Sequence, residues 1–329
     1  MKSIRIAQFG LGPIGIETVK HLASTGHQVV GAIDNDPAKV GRDLGELTGV
    51  ASLAGVYVYP TVDALWAVAQ PAAVVQTTVS KASLALEQLR PLIERGCAIV
   101  SSCEELVYPR HRAPAEAALF DALCKTHGAR VVASGINPGF LMDLLPVVMS
   151  AVQRKTVCIS CKRVVNASLR RQPLQKKIGS GMEPAVFSQL FREGRAGHAG
   201  FSESVCLIAH TMGWALERIE ETCEPVVADK RIQTTFFTVQ PGQTRGLYQI
   251  ARGFVAGEEK ITLSLTMALD EADPHDAVFL DGEPPVNLRL AGGTHGDVAT
   301  VATLVNTLPR VLAATPGLKL ITELPVAAP

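Results

Sequence analysis

Two short runs hold residues whose types and spacing suit chemistry. Gly10-Leu-Gly12-Pro-Ile-Gly15 is a Gly-x-Gly-x-x-Gly pattern, placed directly after an apolar run and directly before a helical one. That context fits a phosphate cradle. Gly10 permits a tight turn, Gly12 lets backbone approach a pyrophosphate, and Gly15 lets helix pack on strand. The plainer alternative is an ordinary strand–turn–helix. Pro13 and Ile14 open the helix, whose N-terminal N–H groups and partial positive charge favour an anion. Asp34, with Asn35 beside it, ends the next apolar run, where a carboxylate bonds the ribose hydroxyls of an adenine dinucleotide. Asp34 and Asp36 repel a 2′-phosphate, while Lys39 and Arg42 offset that repulsion; NAD(H) is favoured and NADP(H) stays open. The second run is SSCEELVYP, in which Ser102, Glu104 and Glu105 follow the apolar CAIVS. Acids at such a strand end suit a substrate that turns cationic. Equally, two carboxylates favour the N-terminus of a following helix.

Other candidates gather at further strand ends. Thr77, Thr78, Val79 and Ser80 lie either along the cofactor or at a helix cap. In SGINPGFLMD, Gly135, Pro138 and Gly139 make a tight loop, Asn137 is a polar group or a cap, and Phe140 and Met142 offer an apolar wall. Arg170, Arg171, Lys176 and Lys177 form a basic cluster, able to hold a carboxylate or a cofactor phosphate, or simply solvated. Cys158 and Cys161 make a CxxC, but residues three apart on a strand face opposite sides and no second pair completes four ligands. No metal site is expected.

The elements needed to position these groups are legible. Apolar runs at 4–10, 27–36, 72–80, 97–102 and 129–140 alternate with helical patterns at 13–25 and 83–96. Such alternation predicts an α/β fold, a doubly wound parallel sheet of the Rossmann type, over residues 1–149. Residues 150–290 read as an α+β domain with an open mixed or antiparallel sheet, from strand patterns at 156–168, 231–240, 244–255 and 259–269 and helices at 184–194 and 201–219. A helix at 297–314 and an extension at 316–325 make up 291–329, expected to pack back on the first domain.

The chain has 329 residues, 47% hydrophobic and 19% charged, with Lys+Arg and Asp+Glu both 31. Zero net charge argues against nucleic acid or an anionic membrane as partner. No run is long and apolar enough to span a bilayer, and no leader pattern opens the chain. Seven scattered cysteines fit reduced thiols and a cytoplasmic setting.

The motifs FGLGPIG, AIDNDPAKVGRDLGE, SSCEELVYP, SGINPGFLMDLLP, RRQPLQKKIGSG, GHAGFSESVCLIAHTMGW and GGTHGDVATVATLVNTLPRVLAATPGL, in this order, resemble the dihydrodipicolinate-reductase-like family. That group includes 2,4-diaminopentanoate dehydrogenases and NAD(P)-dependent amine dehydrogenases. The resemblance implies a homodimer, a nicotinamide cofactor, and oxidative deamination of an amine or reductive amination of a ketone with ammonia. It places the essential carboxylate in the Glu104–Glu105 pair. Homoserine dehydrogenases carry a catalytic Lys at the similar strand end, and that position falls on Glu104; Glu105 is then expected to face the following helix. His198 and Glu203, and His295 and Asp297, lie in family motifs and line the pocket or brace the domains. True dihydrodipicolinate reductases carry an adjacent His pair, absent from this chain. Two alternatives remain: an oxidoreductase of the same architecture working without ammonia, and a non-catalytic NAD(P)-sensing protein.

Overall fold

The computed structural model describes residues 3–326. They fall into two compact units, Met1–Phe140 with His295–Pro329, and Leu141–Thr294. The first runs β1 (Arg5–Phe9), α1 (Pro13–Ser24), β2 (Gln28–Ile33), α2 (Leu44–Thr48), β3 (Val58–Tyr59), α3 (Val62–Trp66), β4 (Ala73–Gln76), α4 (Ala82–Ile93), β5 (Ala98–Ser101), α5 (Pro114–His127) and β6 (Arg130–Ala133). The second carries α6 (Leu144–Ser150), β7 (Lys155–Asn166), α7 (Gln172–Lys177), α8 (Pro184–Arg192), α9 (Phe201–Thr211), β8 (Leu216–Val227), β9 (Ile232–Gln233), β10 (Thr238–Val239), β11 (Thr244–Val255), β12 (Glu258–Ala268), β13 (His275–Glu283) and β14 (Val286–Ala291). The chain then returns to the first unit as α10 (Gly296–Ala313) and β15 (Gly317–Lys319).

The seven strands of the first unit pair in the order β15-β6-β5-β4-β1-β2-β3, every pair parallel. Strands β4 and β5 are buried along their whole length, as a parallel sheet covered on both faces requires. Strand order reverses at β1, and the crevice for a ligand opens at the carboxyl ends there. Pro13 and Pro114 start α1 and α5, where a missing N–H costs nothing. Val301, Leu304, Val305, Leu308 and Val311 make a buried stripe on α10 at helical spacing, packed on α1 and β5. Strand β15 pairs with β6 and extends the sheet edge.

The second unit holds a six-stranded sheet, β14-β13-β7-β12-β11-β8, antiparallel except that β7 runs parallel to β12. The expected fold class is therefore what the chain adopts. The sequence places the domain borders at 149/150 and 290/291, whereas the units divide at 140/141 and 294/295. Asp143 explains the earlier border. It caps α6 and accepts a hydrogen bond from Ser204 of α9 at 2.8 Å, tying α6 into the second unit.

Three expectations need correction. The helix predicted over 201–219 stops at Thr211, and Leu216 already belongs to β8. Gly213, at φ +69°, turns the chain. The run LERIEE is built from good helix formers, yet pairing with β11 holds it as an edge strand. The strand predicted over 231–240 is instead the small β9–β10 hairpin, outside the large sheet. The strand predicted over 129–140 ends at Ala133, and the rest is loop. Among the described residues, no helix is long and apolar enough to cross a membrane.

Candidate active site

The glycine turn is built as its spacing requires. Gly10 sits at φ +90° and donates its N–H to Ile33 O at 2.8 Å. A Cβ on Gly15 would lie 1.9 Å from Gly10 O, so no other residue fits this approach. A Cβ on Gly12 would meet nothing within 4 Å: that side of the turn is open, as a phosphate needs. Gly12 is the N-cap of α1, with Pro13 and Ile14 in its first turn. The residues thus fit a dinucleotide, with bare N–H groups and the positive end of α1 facing open space.

Gln8, not singled out from sequence, braces this turn. It is fully buried in β1, and its Nε2 donates to Gly10 O at 2.9 Å and to Thr77 Oγ1 at 2.8 Å. Thr77 in turn donates to Gly10 O at 3.0 Å. An uncharged polar residue near the end of the otherwise mostly apolar strand IRIAQF was the available signal. Asp34 is 8% exposed. Its Oδ2 accepts from Leu11 N at 2.6 Å and its Oδ1 from Asp36 N at 2.9 Å, which ties the end of β2 to the glycine turn. Lys39 Nζ lies 3.6 Å from Asp34 and 3.1 Å from Asp36. Hydrogen bonds from Ala38 N and Lys39 hold the Asp36 carboxyl below its usual range. Asn35 and Arg42 are exposed, and Arg42 faces Glu46 at 3.6 Å.

The next strand ends line the same sheet edge. Thr78 is exposed and donates to Gln88 Oε1 at 2.5 Å; Val79 is half-buried. Ser102 is half-buried and donates its N–H to Gln76 O at 2.9 Å. Cys103 is buried, and burial pushes its thiol up to about 12, with Glu104 and Glu105 acting in the same direction. It stays protonated and is no nucleophile. Glu104 and Glu105 begin a short 3₁₀ turn, Glu104–Val107, and both are half-buried. The Glu105 carboxylate accepts from Ala82 N at 2.9 Å. It therefore faces α4, the preceding helix, rather than the following one as the sequence suggested. The Glu104 carboxylate has no hydrogen-bond or ion-pair partner among the described residues.

After β6, Gly135 and Gly139 close the loop on itself: a Cβ on Gly139 would lie 2.5 Å from Gly135 N. Asn137 caps nothing, and its Nδ2 is buried without a partner, a donor available to a ligand. Pro138 is buried and Phe140 half-buried. Met142 is buried and lines a small cavity of the second unit with Leu141, Leu145 and Val278.

In the second unit Arg170 is buried and Arg171 half-buried, both just before α7, while Lys176 and Lys177 are exposed. Nearby is a feature the sequence did not reveal. Arg163, 3% exposed, pairs with buried Asp276 at 3.4 Å and donates to Thr294 O at 2.7 Å. Burial holds its guanidinium below the ordinary value, and Asp276 opposes that. His198 contacts Ala199 O through Nδ1 at 2.8 Å. A carbonyl only accepts, so Nδ1 carries the proton and Nε2 is an acceptor in the neutral ring. Burial pushes this imidazole down to about 4, with Lys177 and Arg163 adding to the effect. Its backbone is gripped by Gln249, which accepts from His198 N at 2.7 Å and donates to His198 O at 2.9 Å. Glu203 is buried in α9. His295 is exposed and caps α10, its Nδ1 accepting from Val298 N at 3.4 Å. Cys158 is half-buried and Cys161 buried on β7, and among the described residues no cluster of His, Cys, Asp or Glu could hold a metal.

A glycine turn at the reversal point of a parallel sheet, followed by a unit with an open mixed sheet, defines a two-unit protein of the Rossmann class. Residues 140–329 match the 2,4-diaminopentanoate dehydrogenase C-terminal domain. The 2,4-diaminopentanoate dehydrogenase of Acetoanaerobium sticklandii is 31% identical over 248 residues, 74% of this chain and 70% of that protein. An amine dehydrogenase of Streptomyces virginiae is 24% identical over 94% of this chain and 93% of its own. The solved structure of an amine dehydrogenase from Mycobacterium smegmatis superposes with a TM-score of 0.85 at 25% identity, over 98% of this chain and 96% of that one. The chain belongs to the 2,4-diaminopentanoate dehydrogenase family.

Proposed function

We propose that the chain is an NAD(P)-dependent amine dehydrogenase, deaminating a primary amine or diamino acid and running the reverse amination of a ketone with ammonia. The observation that carries this reading is Glu104: a half-buried carboxylate without a partner, at the end of the strand one place from β4 and two from the glycine turn of β1. The cofactor would be held by Gly10, Gly12, Gly15 and the α1 N-terminus, with Asp34 at its ribose. When bound, it takes up a hydride from the amine carbon. Glu104 does the rest of the charge work. It pairs with the substrate ammonium and accepts a proton from it. Once that proton has passed to water, the restored carboxylate faces the iminium left after hydride loss, and low dielectric strengthens their attraction. It then accepts a proton from the water that adds to the iminium carbon, and ammonia leaves. A Lys at this position would repel the same iminium.

Asp34 and Asp36 place two negative charges against Lys39 at the ribose end, which supports NAD(H) over NADP(H). For a diamino acid, Arg170 and Arg171 are the proposed carboxylate partners, since guanidinium binds carboxylate bidentately. The family resemblance supports a homodimer as the working form.

The test is a panel of amines and diamino acids with NAD and NADP, and ketones with and without ammonia. Ammonia-dependent NADH consumption is expected. Glu104→Gln should bind cofactor normally yet lose activity by roughly 100-fold or more. Ketone reduction that ignores ammonia, or a Gln variant that keeps most activity, would sink the reading.

A further inference from the structure

We propose that Glu105 is a positioning residue: it clasps the loop after β4 and so sets where Glu104 stands, without itself exchanging protons with substrate. This rests on the reading of Glu104 given above. Glu105 holds that loop twice, donating its backbone N–H to Ser80 O at 3.2 Å and accepting from Ala82 N on its side chain at 2.9 Å.

Helix α4 needs such a partner. Its own N-cap, Lys81, supplies no side-chain hydrogen bond, and its first turn holds no acid. The exposed N–H groups and partial positive charge of a helix start are stabilised by an acceptor carrying negative charge. Glu105 is both, delivered from the next loop rather than from the helix's own sequence. The ends of β4 and β5, from which the two loops leave, are also tied, and Ser101 holds the start of its own loop. Ser102 N donates to Gln76 O at 2.9 Å, Ser101 Oγ to Gln76 Oε1 at 2.7 Å, and Cys103 N to Ser101 Oγ at 3.1 Å. The 3₁₀ turn advances about 120° per residue, so Glu104 and Glu105 point apart. One carboxylate is engaged and its neighbour is left for the ligand.

The experiment compares Glu105→Gln and Glu105→Ala with Glu104→Gln, reading kcat, KM, cofactor Kd and the pH profile of kcat/KM. Gln keeps an amide oxygen for Ala82 N, so Glu105→Gln should hold kcat within roughly threefold, the scale of a weakened charge–dipole contact. Glu105→Ala removes the side-chain hold on Ala82 N, leaving only the backbone bonds between the loops, and should lower kcat by roughly 10- to 100-fold, as a displaced reacting group does. Both should keep the wild-type shape of the pH profile. Three results overturn the proposal: a Gln variant as impaired as the Ala variant, a changed pH profile in either, or full activity in the Ala variant. If Glu105→Ala fails to fold, the Gln variant and its pH profile decide alone. An active Glu104→Gln would instead remove the amine-dehydrogenase reading, whatever Glu105 does.

Discussion

Gly12 and Gly15 show how one residue type serves two purposes at one turn. Gly15 is needed by the fold itself, because any Cβ collides with Gly10 O at 1.9 Å; Gly12 faces open space, so the fold makes no such demand there and only the proposed cofactor would. Gly15→Ala should therefore lower the melting temperature as well as cofactor affinity, with an overpacking cost of roughly 1–3 kcal/mol. Gly12→Ala should melt like wild type and still bind cofactor at least about tenfold more weakly, since its methyl occupies the side of the turn the pyrophosphate must approach. Paired thermal melts and fluorescence titrations with NADH separate the two. At this scale much was legible. The glycine turn, Asp34 and the Glu pair all stand at carboxyl strand ends, because the pattern of apolar runs alone says where strands stop. The division of labour between Glu104 and Glu105 was not legible. It depends on Ala82 N, 23 residues away, and no local pattern reports which of two adjacent carboxylates a distant helix start engages.

Elements of the first unit were easier to read than those of the second. Buried parallel strands such as AVVQ and AIVS are short apolar blocks with few other readings. The edge strand β8 is exposed along much of its length, and its charged residues mimic a helix. Only its pairing with β11 decides its state. Helix α10 was legible from its apolar stripe, and that stripe carries stability for a sheet whose strands, β15 apart, come from far earlier in the chain. Leu308 is fully buried in it. Leu308→Ala should cost about 2–5 kcal/mol through lost burial and the cavity left behind, read as a shifted midpoint in urea unfolding. A loss below about 0.5 kcal/mol would mean that α10 is not part of the core of its unit.

For the molecule as a whole, buried His27 and half-buried His198 make stability depend on pH. His198 is held at about 4 in the fold and titrates near 6.5 unfolded, and burial lowers His27 in the same direction. Between those values the unfolded chain binds the extra protons. The stabilisation is complete above pH 6.5 and is lost as pH falls towards 4, by about 3 kcal/mol for His198. Urea unfolding across that window should show the decline, and His198→Gln should flatten part of it; equal slopes in both proteins would refute the assignment. Nothing in GHAGFSES announces this, because the depressed value comes first from desolvation in the folded unit and then from Lys177 and Arg163. The sequence by itself determined the class of fold, the glycine turn and where the strands end, since periodicity and glycine spacing act locally. The tertiary structure alone decided which carboxylate stays free, that Gln8 and Arg163 are buried braces, and that β8 is a strand, because each rests on a partner distant in the chain.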